Sequence, residues 1–406
     1  MKSTKFLPVI VVLASMLLSA CSGLGSPLAA PAAVITTGQS VSLPLTSAPV
    51  LANPQAATDV ASIQSAYEAV YQSVNPSVVT IMISSQVSGQ GNGQNSQGQV
   101  VPTAQGSGFV WDTAGHIVTN NHVIAGAARI SVTFSDGSSY DAKLVGADPN
   151  SDLAVIQVTG APASLLQPIS VGDSTQVKVG QLVVAIGNPF GLSNTMTTGI
   201  VSGIGRSIQA GVNNSQNGAS SAPSFSIPDV IQTDAAINPG NSGGVLVDMS
   251  GTLIGVPSQI ESASGSNSGV GFAIPSALVS RVVPQLISTG AAAHSYLGFS
   301  GGTITTDIVS SLNLKAGQQG ILVATVVAGG PADKAGLQGA IVDANGNPTA
   351  AGDIITGIDG KSITTFEDLI SYLSSSTQPD QLVTLNVLRA GKDIQMKVTL
   401  GTQPTN

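Results

Sequence analysis

The sequence predicts a mainly β protein with a second, smaller unit of strands and helix at its C-terminal end. Many short runs of β-forming residues follow one another from Val78 to Val256, separated by turn residues and with no long helix between them. This order is typical of an antiparallel barrel or sandwich and not of alternating strands and helices. Hydrophobic residues make up 42% of the 406 residues, which is enough to build packed cores and excludes general disorder.

Charge and cysteine content limit the classes of partner and site. Only 8% of the residues are charged and the formal net charge is −8, whereas a nucleic-acid-binding protein needs a basic face that neutralises phosphates. We therefore predict no nucleic-acid partner. The one cysteine, Cys21, excludes an intramolecular disulfide and a zinc site built from several cysteines.

Residues 1–20 have the pattern of a signal peptide. Lys2 and Lys5 precede an apolar run from Phe6 to Leu18, which is too short to span a bilayer and is followed by small residues. Removal of this segment takes away two positive charges, so the net charge of the mature chain becomes −10.

Cys21 is the predicted membrane anchor. The string Leu18-Ser19-Ala20-Cys21 resembles the bacterial lipobox, in which the cysteine is lipidated and becomes the first residue of the mature protein. An ordinary signal peptide followed by a coincidental cysteine is the alternative. Residues 21–59 comprise this cysteine and an Ala/Ser/Pro-rich tether. No later segment has about 18 uninterrupted apolar residues, so we expect no membrane-spanning helix after the signal.

Residues 60–290 are predicted to form the larger β domain. A helix comes first, because Val60, Ile63, Tyr67, Val70 and Tyr71 fall at helical spacing before the stop signal Asn75-Pro76. Three polar stretches, residues 84–105, 207–227 and 261–269, are predicted surface loops. The predicted strands are Val78-Ile83, Gly108-Trp111, His116-Thr119, Ala128-Phe134, Ala142-Asp148, Leu153-Val158, Leu182-Ile186, Thr197-Ile204, Val245-Asp248 and Leu253-Val256.

Residues 294–402 are predicted to form the second unit. A helix-like segment, Pro275-Ser288, and a break of small residues, Gly290-Ala293, precede it. The unit contains strands, a Gly-rich insertion at residues 339–352 and one amphipathic helix, Thr365-Ser374, followed by a strand at Leu382-Leu388.

Three histidines limit the search for a general base, because His is the residue that most often fills this role at neutral pH. His122 follows a strand that begins at His116, and strand alternation alone does not decide which of the two faces inward. The third, His294, lies at the border of the second unit. The spacing of His116 and His122 lacks the i, i+4 pattern of a helical zinc site, and we predict neither a metal site nor a cofactor.

A glycine-rich cluster directly before the strand at Val245 is the candidate nucleophile site. Glycines on both sides of Ser242 let the backbone turn sharply and aim consecutive amide groups at one point, as an oxyanion hole requires. The alternative is a plain Gly-rich turn. The string also fits Gly-x-Ser-x-Gly, but a strand and not a helix follows Ser242, so the nucleophile elbow of α/β-hydrolases is excluded.

Asp152 is the candidate acid that orients the histidine. It precedes the apolar run Leu153-Val158, which we expect to be a buried strand, and a carboxylate there could fix the imidazole tautomer. Alone, such a residue is more often a turn residue or cap. Spacing does not exclude Asp141 or Asp148 from this role.

Taken together, these motifs resemble those of the HtrA/Deg serine proteases. The chain order His–Asp–Ser is that of chymotrypsin-type enzymes, and the resemblance covers residues 60–402. The strings that carry it are Thr119-Asn120-Asn121-His122-Val123, Ser151-Asp152-Leu153-Ala154-Val155, Gly240-Asn241-Ser242-Gly243-Gly244, Gly106-Ser107-Gly108-Phe109-Val110, Ile186-Gly187-Asn188-Pro189-Phe190-Gly191, Gln232-Thr233-Asp234-Ala235-Ala236-Ile237 and Gly271-Phe272-Ala273-Ile274-Pro275.

The resemblance implies a chymotrypsin-like double β-barrel and a role for each site residue. Ser242 would be the nucleophile, His122 the general base and then acid, and Asp152 the orienting acid. The oxyanion hole would comprise the amides of Gly240 and Ser242, with Asn241 between them. Ile237 and Ile260 would line an aliphatic specificity pocket. The sequence departs from many relatives here, since Pro257-Ser258-Gln259-Ile260 stands where they carry Asn-Thr-Ala-Ile.

The second unit resembles a bacterial PDZ domain, a small α+β fold. Further signatures are Pro331-Ala332-Asp333-Lys334-Ala335-Gly336-Leu337 and Gly352-Asp353-Ile354-Ile355. The resemblance implies that the loop Tyr296-Leu297-Gly298-Phe299 captures the carboxylate of a peptide C-terminus. Leu369 and Leu373 would flank the groove, with core packing as the alternative for these two leucines.

The function that the resemblance implies is ATP-independent serine endoproteolysis of unfolded or damaged proteins in the bacterial cell envelope. The expected partners are such proteins, peptide C-termini at the PDZ domain, the membrane through Cys21, and two further copies of the chain in a homotrimer. The rival hypothesis is a non-catalytic chaperone or peptide-binding scaffold, against which the presence of all three triad residues counts.

Overall fold

The computed structural model describes residues 54–87, 99–188, 195–210, 225–260, 269–342 and 348–404. The predicted signal peptide, Cys21 and most of the tether lie outside the described residues. The part of the chain from Pro54 onward forms one unit by its internal contacts. It is mainly β, with two closed six-stranded barrels followed by a smaller sheet domain.

A helix leads into the first barrel. Helix α1, Pro54–Val74, begins six residues before the predicted boundary and ends at a 3₁₀ turn, Asn75–Ser77. Val70 and Val74 are buried and Tyr67 and Tyr71 pack against the same core, whereas Ile63, which the helical spacing also placed on this face, is 50% exposed. None of the helices in the described ranges is long and apolar enough to cross a membrane.

The first barrel contains both the histidine and the aspartate candidates. Its strands close in the order β1-β2-β3-β6-β5-β4, all antiparallel. Strand β6 is buried at five of its six positions, as an unbroken apolar run predicts. The strands are β1 Val78–Val87, β2 Gln99–Val110, β3 His116–Asn120, β4 Arg129–Thr133, β5 Ser139–Asp148 and β6 Leu153–Val158.

The second barrel contains the serine candidate. Its strands close in the order β10-β11-β12-β9-β8-β7. Each barrel has a core of its own, and side chains on the other faces of the strands form a third core shared by the two barrels, which includes Val118 and Leu153 from the first barrel and Val245 from the second. The strands are β7 Leu182–Gly187, β8 Thr195–Ala210, β9 Phe225–Thr233, β10 Val245–Val247, β11 Leu253–Ile260 and β12 Gly271–Pro275.

Two of the predicted loops are partly strand. Within residues 84–105, β1 continues to Val87 and β2 begins at Gln99, and the two pair along this length. Within residues 207–227, β8 and β9 pair through Ile208 and Ile227. Their polar composition misled the prediction, because a ladder is held by main-chain hydrogen bonds that polar side chains do not prevent. Residues 261–268 of the third predicted loop lie outside the described residues.

A helix joins the barrels to the second domain. Helix α3, Ser276–Thr289, buries Leu278, Val279 and Leu286 in the barrel core. It ends at Gly290, whose φ of +80° is the left-handed conformation in which glycine commonly terminates a helix.

The second domain folds as a twisted sheet with short helices. Its main sheet has the order β14-β15-β18-β20-β21, with β19 paired to β18, and two further pairs are β13-β22 and β16-β17. The strands are β13 Ser295–Tyr296, β14 Phe299–Thr303, β15 Ile321–Val326, β16 Ile341–Val342, β17 Pro348–Ala350, β18 Ile354–Ile358, β19 Lys361–Ser362, β20 Leu382–Arg389, β21 Lys392–Thr399 and β22 Gly401–Thr402. The short helices are α4 Thr306–Ser311 and α5 Pro331–Lys334, and α2 of the first barrel is Asn121–Ile124.

Helix α6, Phe366–Ser376, packs its apolar face against this sheet, and a capping box closes its first turn. The Thr365 hydroxyl accepts a hydrogen bond from the Asp368 amide at 3.1 Å, and the Asp368 carboxylate accepts one from the Thr365 amide at 2.9 Å. Burial raises the pKa of Asp368, but hydrogen bonds from Thr364 and Thr365 outweigh it and lower that pKa below its ordinary value. The box therefore stabilises the fold above the ordinary aspartate pKa and loses this contribution in stronger acid.

We expect Thr365→Ala to lower the free energy of unfolding by about 1 kcal/mol, because the α6 amides lose their side-chain acceptor. Urea unfolding of the purified protein measures this change. Ser375→Ala is the control, since the Ser375 hydroxyl bonds only within the exposed last turns of the same helix. Equal stability of the two variants would contradict the prediction.

Candidate active site

The pairing of β3 with β6 brings His122 and Asp152 together. Asn120, the last residue of β3, lies opposite Leu153, the first residue of β6. The residues just after β3 and just before β6 therefore meet at one end of the barrel. His122 lies in the helical turn α2, and its Nδ1 is 2.8 Å from Asp152 Oδ2.

Asp152 is held so that its carboxylate faces the imidazole. Its backbone has a φ of +54°, a left-handed conformation that Asp tolerates better than most residues. Besides the imidazole, the carboxylate accepts hydrogen bonds from the His122 amide at 3.0 Å and from the Ser258 hydroxyl at 2.6 Å. The Asp152 side chain is 5% exposed and that of His122 is 43% exposed. The His122 imidazole is therefore held at Nδ1 by Asp152 while part of the ring remains exposed to solvent.

The other candidate acids and histidines pair elsewhere. His116, at the opposite end of β3, contacts Asp112 at 2.6 Å. His294 contacts Asp148 at 2.8 Å. Asp141 is exposed and pairs with Arg129. The alternatives that spacing left open are thus removed by geometry, and only Asp152 reaches His122.

Ser242 lies in the loop between β9 and β10 of the second barrel. Its hydroxyl donates to the Ser258 carbonyl oxygen at 3.2 Å, and the structure contains no hydrogen bond between Ser242 and His122. The distance between a nucleophile and its base often closes only when substrate binds. A strand follows the loop, which agrees with the exclusion of a strand–turn–helix elbow.

The loop around Ser242 leaves two amides without an acceptor in the described residues, those of Gly240 and Ser242. The amides between and after them are engaged, since Asn241 donates to Asn238 O at 2.9 Å, Gly243 to Pro257 O at 2.9 Å and Gly244 to Asn241 O at 3.0 Å. Unengaged amides beside a nucleophilic hydroxyl are the donors that an oxyanion hole requires.

Two serines around this site were missed as functional candidates. Ser258 bonds the carboxylate of Asp152, and Ser107 on β2 donates its hydroxyl to the Gly240 carbonyl oxygen at 2.6 Å. Serine is common in this chain and its type predicts no single role. The only sequence signal was their position. Ser107 lies in the string Gly106-Ser107-Gly108-Phe109-Val110, which resembles a family motif, and Ser258 lies in Pro257-Ser258-Gln259-Ile260, which departs from one.

The two candidates for the specificity pocket differ in what the structure describes. Ile237 is 2% exposed and packs against the backbone of Gly271. Ile260 lies in β11, paired with Gly271, but its side chain falls outside the described residues. In the described ranges, no group of three or more His, Cys, Asp or Glu side chains is arranged to hold a metal ion.

A cavity of about 500 Å³ lies where the second domain meets the barrels. All six residues predicted for the peptide groove line it, and Leu369 and Leu373 also belong to the domain core. Asn150 and Ser151, directly before Asp152, form part of the opposite wall. The lining residues predicted from the sequence are Tyr296, Leu297, Gly298, Phe299, Leu369 and Leu373.

Contacts across this cavity tie the second domain to the loop that precedes Asp152. Asp148 is 4% exposed and accepts hydrogen bonds from His294 at 2.8 Å and from the Ser151 hydroxyl at 2.5 Å. The side-chain NH₂ group of Asn150 donates to the Gln403 side-chain oxygen at 3.4 Å. The segment Asn150-Ser151 therefore lines the cavity and directly precedes Asp152, the candidate acid.

Comparison with known proteins places this geometry in a family. Residues 106–256 match the trypsin-like peptidase domain family and residues 297–400 match the PDZ domain family. The chain is 46% identical over 304 residues to the chloroplastic protease Do-like 1 of Arabidopsis thaliana, covering 75% of this chain and 65% of the relative. It is 40% identical over 302 residues to the periplasmic pH-dependent serine endoprotease DegQ of Escherichia coli, covering 74% and 60%. The chain thus spans less than two thirds of each relative.

One solved structure matches along almost all of its own length. The HtrA-type protease AlgW, solved with a decapeptide, has 33% sequence identity and a TM-score of 0.64, and the match covers 84% of this chain and 99% of AlgW. The double barrel, the following PDZ domain and this similarity agree with one another. The chain belongs to the HtrA-type serine proteases.

Proposed function

We propose that this chain is a serine endopeptidase in which Ser242 is the nucleophile, His122 the general base and Asp152 the residue that orients the base. The observation that carries the proposal is the His122–Asp152 hydrogen bond beside a serine loop with two free amides. Ser242 Oγ would attack the scissile carbonyl carbon while His122 Nε2 takes its proton. The tetrahedral oxyanion would be stabilised by the Gly240 and Ser242 amides, with Asn241 between them.

The second half of the cycle uses the same groups. His122 would return the proton to the leaving amine as the peptide C–N bond breaks, leaving an acyl-Ser242 ester. Water, deprotonated by the same imidazole, would then attack the ester and restore the Ser242 hydroxyl. Asp152 would orient the imidazole and stabilise the imidazolium, and its carboxylate is itself held by hydrogen bonds from the Ser258 hydroxyl and the His122 amide.

The proposed substrates are unfolded or damaged proteins of the bacterial cell envelope. The relative DegQ of Escherichia coli, a periplasmic serine endoprotease, supports this location. The aliphatic side chain of Ile237 supports a pocket for small or medium apolar residues before the cut, with Ile260 as a further lining residue. The cavity at Tyr296-Leu297-Gly298-Phe299 supports capture of peptide C-termini, and the AlgW structure was solved with a peptide.

The proposed organisation of the mature protein follows from the sequence. Residues 1–20 would be removed as a signal peptide, and Cys21 would carry the lipid that anchors the tether at residues 21–59 to a membrane. Residues 60–290 would form the protease domain and residues 294–402 the PDZ domain. The proposed assembly is a homotrimer, as the family resemblance implies.

Covalent labelling by a fluorophosphonate tests the proposed activity. We expect the purified mature protein to be labelled and Ser242→Ala to remain unlabelled, because only an activated serine attacks the probe. Labelling is measured with and without an unfolded protein substrate, since the Ser242 hydroxyl bonds to Ser258 O in this structure. Absence of labelling under both conditions, with peptide binding intact, would favour the chaperone or scaffold hypothesis.

A further inference from the structure

Ser107 on β2 is buried at 0% exposure and contacts both barrels at the candidate active site. We propose that Ser107 is a positioning residue for the oxyanion hole: its hydroxyl holds the Gly240 carbonyl so that the amides of Gly240 and Ser242 face the reacting carbonyl. This inference rests on the proposed function, because it assigns a role in that reaction.

The hydrogen bonds of Ser107 hold the serine loop at two points. Its hydroxyl donates to the Gly240 carbonyl oxygen at 2.6 Å, and its own amide donates to the Ser242 carbonyl oxygen at 2.8 Å. The peptide between Gly240 and Asn241 is thus fixed at its oxygen by Ser107 and at its nitrogen by Asn238 O. This peptide lies between the two that supply the free amides, so holding it restricts both neighbours.

The direction of the Ser107 hydroxyl is itself fixed. The Asn188 amide donates to Ser107 Oγ at 2.8 Å, which leaves the hydroxyl proton to point at Gly240 O. The Ser107 carbonyl accepts from Thr119 Oγ1 at 2.7 Å, and Thr119 lies on β3, three residues before His122. Ser107 therefore connects the histidine strand, the end of β7 and the serine loop.

The loop needs such support because its glycines do not hold one conformation by themselves. Gly240 has a φ of +100° and Gly243 a φ of +82°, and glycine rotates between such regions at little cost. An oxyanion hole stabilises the transition state only when its donors are oriented before the charge develops. A buried hydroxyl with one acceptor and one donor partner supplies that orientation at Gly240.

Ser107→Ala tests the inference, with Ser276→Ala as a matched control. Ser276 is also 0% exposed, and its hydroxyl likewise donates to a glycine carbonyl, Gly172 O at 2.7 Å, and accepts from a backbone amide, that of Ser174 at 3.1 Å. It lies at the start of α3 and bonds no residue of the serine loop. The two variants therefore lose the same kind of hydrogen bonds in different places.

The readouts are kcat and KM on a chromogenic peptide, the Kd of a peptide boronate that mimics the tetrahedral intermediate, the Kd of the product peptide, and Tm. We expect Ser107→Ala to lower kcat about 10- to 100-fold, less than loss of a donor itself, with KM within twofold. Boronate affinity is expected to fall by a similar factor and product affinity to stay unchanged. Ser276→Ala is expected to keep wild-type kcat with a comparable change in Tm.

Ser107→Cys carries the test if Ser107→Ala does not fold. The thiol is a weaker donor of similar shape, so we expect a kcat between those of wild type and Ser107→Ala with KM retained. The inference would be overturned if the tested Ser107 variant had the same kcat as Ser276→Ala. It would also be overturned if that variant lost affinity for the boronate and for the product peptide equally. A wild-type protein without turnover or boronate binding would overturn the proposed function together with this inference.

Discussion

Asp152→Asn is expected to lower kcat about 10⁴-fold while leaving the fold intact. The Asp152 carboxylate accepts a hydrogen bond from His122 Nδ1 at 2.8 Å, which fixes the proton on that nitrogen and leaves Nε2 free to act as a base. An amide in its place can present its NH₂ group to Nδ1 and so favour the wrong tautomer. It also loses the negative charge that stabilises the imidazolium.

The measurement is kcat on a peptide substrate, with circular dichroism and Tm to verify folding. Asp141→Asn is the matched control, because the Asp141 side chain is exposed on the same barrel and pairs only with an exposed arginine, Arg129. We expect its kcat to equal that of the wild type. A loss of less than tenfold in Asp152→Asn would show that another group orients His122.

Gly243→Ala is expected to lower kcat by at least about 10²- to 10³-fold, the effect of removing an oxyanion donor. Gly243 has a φ of +82°, and a Cβ at this position would overlap the Ser107 carbonyl oxygen and Thr119 Oγ1. The Ser107 oxygen belongs to the backbone of β2 and cannot turn aside. The serine loop must therefore move, and the Ser242 amide moves with it.

Gly160→Ala separates the clash from the cost of the backbone conformation. Gly160 has a φ of +79°, but no atom lies within 4 Å of the position of its Cβ. We expect this control to lose about 1–2 kcal/mol in the free energy of unfolding, the cost of a left-handed alanine, with normal kcat. Urea unfolding and steady-state kinetics measure both quantities. A Gly243→Ala protein as stable and active as Gly160→Ala would contradict the structural argument.

The sequence predicted the candidate catalytic residues better than the contacts that hold them in place. His122 had few competitors because histidine is rare here, whereas Asp152 was one of three acids that spacing allowed and was assigned by the family resemblance. The register that joins them, Asn120 opposite Leu153, depends on long-range pairing that spacing along the chain does not determine. Ser107 and Ser258 could not be ranked, since their roles exist only through contacts with residues more than a hundred positions away.

The strands that the prediction omitted have a common cause. Strand β9 contains Pro228 and Asp229, which are typical of turns, and Asp229 has a φ of +56°. Strand β12 contains Gly271 and Pro275 and is buried at all five positions. Closing the second barrel supplies the ladder partners and the burial that outweigh these local preferences.

The contact between Asp148 and His294 joins the start of the second domain to the first barrel. A chain cut at Gly290 would keep His122, Asp152 and Ser242 but would lose the His294 imidazole that bonds the Asp148 carboxylate, which is only 4% exposed. That carboxylate would retain the Ser151 hydroxyl and would otherwise face solvent or remain unpaired, and unpaired buried charges are costly. The excised double barrel would thus be altered directly before Asp152, so we expect measurements on that fragment to differ from those on the whole chain.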